Sequence, residues 1–205
     1  MKTVTWKQHR FALARHSWRG GRLATAAGLL SCLLALPGLA QDEAERVADV
    51  LRDTPLIDGH NDLPWQYHQR HDNRLAPLDV SKPQSELDPP LHTDLPRLRE
   101  GGVGGQFWSV YVPIEEYGGS PGDAARVLEQ MDVVRRLVER YPDDLALAFS
   151  ADDVSRAHAL GKIGSLMGIE GGHAIEDSLG TLRSLYAAGA RYMTLTHGKG
   201  LRWAD

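Results

Sequence analysis

The sequence predicts an α/β fold built on a parallel sheet, arranged as strand–helix repeats. Three observations predict it. Apolar runs of strand length alternate with segments of helical periodicity, and short turns separate them. Polar residues able to do chemistry gather just after the strand C-termini, which is the active-site edge of parallel barrels. The body available, residues 41–205, has 165 residues and four principal strands. A whole eight-stranded barrel takes about 250 residues.

The elements follow in order. Residues 1–40 carry six bases and no acid, and residues 23–40 carry no charge at all. Basic, apolar and small-residue regions in that order predict a signal peptide over 1–40, cut between Ala40 and Gln41. The product is then exported, periplasmic or secreted. A retained membrane anchor is the alternative, because the 18-residue apolar run is borderline for a span. Cys32 as a lipid-attachment residue is a third reading, opposed by the apolar run continuing through Leu36. As the single cysteine it excludes an internal disulfide framework.

Residues 43–51 read as a short helix and 55–58 as a brief strand ending at Gly59-His60-Asn61-Asp62. Residues 63–100 hold Pro83, Pro89, Pro90 and Pro96 and read as loop, with one helix near 93–100. Residues 106–112 form a strand that Pro113 stops. The next helix is the best specified. Ser120 is its N-cap, Pro121 its first residue, and Asp123 completes the cap. Its stripe is Ala124, Val127, Leu128, Met131, Val134, Leu137, Val138 and Tyr141. A strand at 145–149 follows, then a helix near 151–160 capped by Ser150 with Asp153. An apolar strand at 163–169 runs into Glu170. A helix near 177–188 places Leu179, Leu182, Leu185 and Tyr186 on one side and stops at Gly189. The last strand, 191–196, ends at His197.

Charge narrows the function. Residues 41–205 hold 17 Lys and Arg against 27 Asp and Glu, a net of −10. Phosphate binding needs a basic footprint, so nucleic acid is excluded as the main partner. A metal-bearing pocket within an acidic shell is not excluded.

The chemistry sits at strand ends. In extended backbone His60 and Asp62 point the same way and can reach one metal. Imidazole nitrogen with carboxylate oxygen suits zinc, and the competing reading is a surface turn. Glu170 follows seven uncharged residues and precedes two glycines. It either caps backbone amides or holds metal, which would offset its desolvation. His197 reads as a ligand, a substrate polariser or a hydrogen-bonded core imidazole. His173 and Trp203 are unranked candidates. His68, His71, His92 and His158 have loop or helix-surface contexts and no assigned role.

Residues 54–65, Thr-Pro-Leu-Ile-Asp-Gly-His-Asn-Asp-Leu-Pro-Trp, strongly resemble the opening of the membrane (renal-type) dipeptidases. Gly168-Ile169-Glu170-Gly171-Gly172-His173 and the stretch from Arg191 to His197, closing on Trp203-Ala204-Asp205, resemble that family's next two signatures. The resemblance covers residues 45–205. It implies a (β/α)8 TIM barrel of the metal-dependent hydrolase type, of which 41–205 is the N-terminal half. It implies two zinc ions and hydrolysis of dipeptides by a metal-bridging hydroxide. His60 and Asp62 would hold the first zinc, Glu170 would bridge both, and His197 would bind the substrate carbonyl or tetrahedral intermediate. Glu170 and His197 are thus the catalytic candidates. The family's two later histidines, arginine and aspartate belong to the barrel's second half. Gly200 stands where the family usually has Asn.

Two classes stay open: a dipeptidase represented by its first half, and a non-catalytic exported metal-binding or structural protein built on that half. A related barrel hydrolase acting on a cyclic amide or lactone is a third. In a half barrel the inward faces of Phe107, Met167 and Ile169 are expected to meet water. Poor folding, rescue by a homodimer, and no turnover are the expected consequences.

Overall fold

Capping residues set where three of the helices begin. Asp94 accepts from the Arg97 amide at 2.9 Å and starts α3, Leu95–Glu100. Ser150 accepts from Asp153 and starts α5, Ala151–Ala159; Ser178 accepts from Thr181 and starts α6, Leu179–Ala188. The other helices are α1 (Pro37–Asp53), α2 (Leu63–His71) and α4 (Asp123–Arg140). The structure is a computed structural model that describes residues 37–114 and 122–205. All but the last few residues of the signal reading lie outside them. Among the described residues no helix is long and apolar enough to cross a membrane.

Five strands make one parallel sheet: β1 (Leu56–Asn61), β2 (Val103–Tyr111), β3 (Leu145–Leu147), β4 (Ile163–Glu170) and β5 (Ala190–Met193). β2 lies between β1 and β4. β3 and β5 share the far side of β4. β3 pairs with Ile163–Ser165, and β5 with Met167–Ile169. The four principal strands expected are therefore β1, β2, β4 and β5, with β3 a short insert. The sheet is open, and its strand–helix alternation is that of part of a (β/α)8 barrel.

Alternation along the strands gives the sheet two different faces. Trp108, Val110, Met167 and Ile169 belong to the main core, packed with Val127, Met131, Val134 and Leu137 of α4. Gly105, Phe107, Ser109 and Tyr111 of β2 take the other face, with Gly164, Leu166, Gly168 and Glu170 of β4. This second face carries the site. Near the strand N-termini it is covered by α5, because Gly105 and Gly164 let Val154 approach, and Leu166 packs with Val154 and Ala148.

Several expectations are corrected. Met167 and Ile169 turn toward the helices rather than into the barrel interior, and both are buried. Helix α2 occupies residues read as loop. Leu128 of α4 is exposed while Val133 is buried, and Leu179 and Tyr186 of α6 are exposed. The cap of α4 is Gly122 at φ +114°, with no side-chain bond of its own; Ser120 and Pro121 lie outside the described residues. Glu176 supplies the missing acceptor, taking the amides of Gly122 at 2.8 Å and Ala124 at 3.0 Å.

Candidate metal centre

Glu170 ends β4 and His60 lies near the end of β1. Both stand at strand C-termini on the open face. The β1–β2 register breaks between Asp58 and Asn61, around Gly59-His60. Such irregularities re-aim side chains beside sites. Asp62 is already past the strand, as the N-cap of α2 at φ −89° and ψ 20°. Its meeting with His60 therefore comes from the turn and not from strand alternation alone, which corrects the extended-backbone argument.

Asp62 has a cap position but makes no side-chain cap bond. Asn61 does that work instead, accepting from the Leu63 amide at 3.1 Å and donating to Thr93 Oγ1 at 2.8 Å. The Asp62 carboxylate is thus free to turn to His60, with Oδ1 3.1 Å from Nε2. Glu170 Oε2 is 3.3 Å from the same nitrogen. One ligand atom from each of His60, Asp62 and Glu170 lies within 4.8 Å of the others. Two carboxylates converging on one imidazole nitrogen repel each other unless a cation sits among them. Hard oxygens with one imidazole form a donor set that fits zinc. The residues present therefore fit one metal ion.

The surroundings organise this set. Ser109 donates to Glu170 Oε2 at 2.9 Å. The other oxygen, Oε1, faces His197 Nδ1 at 3.3 Å. Glu170 thus turns one oxygen to each side. The His197 ring sits edge-on to Tyr111 at 5.4 Å, and Tyr111 in turn meets Trp65. Tyr192 of β5 reaches across the face and places its hydroxyl 2.9 Å from His60 Nδ1. Burial pushes the Tyr192 phenol up to about 12, and Glu170, Asp62 and Asp58 add to the rise. It stays protonated at neutral pH. His60 and Asp62 open onto a cleft of about 980 Å³ that Arg70, His71 and His92 also line.

The structure brings together all four residues singled out from the sequence: His60, Asp62, Glu170 and His197. His173 is buried, and its Nε2 donates to the Val112 carbonyl at 2.7 Å, which is a core role. Trp203 packs over Gly172, where a Cβ would come within 2.6 Å of its ring. His158 bonds the Arg52 carbonyl, and His68 stacks on Trp65. Ser109, Tyr192 and Asn61 escaped sequence reasoning. The Asp-Leu-Pro of residues 62–64, a capping residue followed by proline, was the available signal for α2.

Residues 44–205 match the family model described as "Membrane dipeptidase (Peptidase family M19)". The match covers most of the chain, and the chain belongs to that family. Among solved structures, a metallopeptidase from Rhodobacter sphaeroides, liganded with a phosphinate mimic of the dipeptide L-Ala-D-Ala, is similar at 24% identity and a TM-score of 0.55. That similarity covers 68% of this chain and 44% of that one. The dipeptidase AC, a metallopeptidase of family M19, is similar at 26% identity and a TM-score of 0.54, covering 71% of this chain and 44% of that one. The chain thus spans less than half the length of these structures.

Proposed function

We propose that this chain supplies the first-zinc half of an exported dipeptidase site. His60, Asp62 and Glu170 would hold one zinc, Glu170 would also serve a second, and His197 would face the substrate carbonyl. The observation that carries the reading is the split of Glu170, with one oxygen on the His60–Asp62 side and the other toward His197. Family membership supports a dipeptide as the substrate class. When bound, zinc supplies Lewis acidity toward the carbonyl and acidifies water. The chain's own residues supply the rest. Ser109 fixes the rotamer of Glu170, and Tyr111 holds the His197 ring edge-on. From there the imidazole gives a hydrogen bond to the oxygen on which charge develops during attack. The order of basic, apolar and small residues over 1–40 supports export.

The test is zinc stoichiometry of the 205-residue chain by elemental analysis. About one bound zinc is expected, and His60→Ala or Glu170→Ala should each lose most of it. Unchanged stoichiometry in either variant contradicts the assignment. For export, the intact mass of the mature product should correspond to a start near Gln41. A product retaining residues 23–40 would favour an anchor.

A further inference from the structure

We infer that Tyr192 is a positioning residue that sets the proton and the ring orientation of His60. The inference rests on the metal-site reading above. His60 turns Nε2 toward Asp62 and Glu170, at 3.1 and 3.3 Å, and Nδ1 toward the Tyr192 hydroxyl at 2.9 Å. A metal on Nε2 needs that nitrogen's lone pair, so the proton of the neutral ring resides on Nδ1. The phenol oxygen then accepts from Nδ1–H. Histidine ligands usually give this bond to a carboxylate, a backbone carbonyl or water. Here a side chain from β5 supplies the acceptor.

The fold makes room for that reach. Tyr192 and His60 lie 132 residues apart in sequence, on strands separated by β2 and β4. The ring crosses β4 at Gly168, its pairing partner, where any Cβ would overlap the phenol ring. It meets Phe107 of β2 at 5.0 Å between ring centroids. Gly168 and Phe107 thus form the bed on which the phenol lies, and the hydroxyl emerges under His60. A phenylalanine would fill the same bed without the acceptor, so the hydroxyl is the part that acts on the metal site.

The experiment measures zinc affinity of the 205-residue chain by competition with a chromogenic chelator. Wild type, Tyr192→Phe and His60→Ala are compared, with far-UV circular dichroism as the check of folding. Tyr192→Phe should weaken zinc binding about 10- to 100-fold with the spectrum unchanged, and His60→Ala should abolish tight binding. Wild-type affinity in Tyr192→Phe with loss in His60→Ala overturns the role of Tyr192 and leaves the metal site standing. Wild-type affinity in both, or no zinc binding by wild type, overturns both. A second reading needs no variant. In the zinc-loaded wild-type chain the His60 Nδ1 proton should exchange slowly and show a nuclear Overhauser contact to the Tyr192 ring. A rapidly exchanging proton without that contact overturns the inference even where Tyr192→Phe fails to fold.

Discussion

Gly168 shows how much a single position can carry. It sits on the site-bearing face of β4, and its missing Cβ is the space that the Tyr192 ring occupies. Gly168→Ala forces the ring or the strand to move. Overpacking of this kind costs about 1–3 kcal/mol, so the urea midpoint of the variant should fall. An unchanged midpoint would mean that the ring has a second place to lie. At this scale the sequence was readable where chemistry interrupts a pattern. Glu170 ends an uncharged run, His60 falls near the end of β1 with Asp62 just past it, and His197 follows β5 by four residues. Ser109 and Tyr192 interrupt nothing, since both occur in ordinary strand segments. Their roles depend on which strand lies beside which, and no local pattern states that order.

The elements divide along the same line. Ser150 and Ser178 cap their helices through neighbours three residues on, and those helices were legible. The N-terminus of α4 is capped from 52 and 54 residues away, by Glu176 on Ala124 and Gly122, which local sequence cannot show. Those two amides hold the Glu176 carboxyl below the ordinary range. A depressed folded pKa gives stability that is present above the unfolded value, near 4.5, and is lost as pH falls through the folded one. Glu176→Ala should therefore cost about 1 kcal/mol at pH 7, as cap removal does. The gap to wild type should stay flat down to about pH 5 and close below pH 4. A gap that persists unchanged at pH 3 would assign the loss to packing and not to the charge. Asp94 does comparable work for the segment before α3. It is fully buried and binds the Gln84 amide, the Arg97 amide and the Arg97 guanidinium. Asp94→Ala removes the cap and the guanidinium's partner together. About 2 kcal/mol or more should be lost in urea unfolding. Thr93, next to it, bonds Asn61 between the two ligands, so zinc affinity should fall as well.

Across the whole molecule, one face of the sheet is finished and the other is not. Trp108, Val110, Met167 and Ile169 are covered by helices, so the main core does not depend on the rest of a barrel. This limits the exposure expected from sequence. What stays open lies at the sides. Leu56 and Ile57 of β1 are 44% and 45% exposed, and among the described residues no strand pairs with the outer edge of β1 or of β5. Each large apolar side chain left in water forfeits about 1.5–3 kcal/mol, against a reserve of about 5–15 kcal/mol for a typical domain. Open edges are also templates for pairing with another chain. Hydrogen exchange should therefore find the slowest amides in β2 and β4, which are paired on both sides, and faster exchange in β1 and β5. Light scattering should show self-association that rises with concentration, since two copies can cover each other's edges. The chemistry is expected to fail separately. Glu170 Oε1 meets only His197 among the described imidazoles, and the proposed reading of the site requires further ligands for a second zinc. Zinc-loaded chain supplied with a simple L,L-dipeptide should thus release no amino acid. Zinc-dependent turnover by a monomer, with β1 and β5 amides as slow as those of β2 and β4, would show that this half of the barrel is a sufficient enzyme.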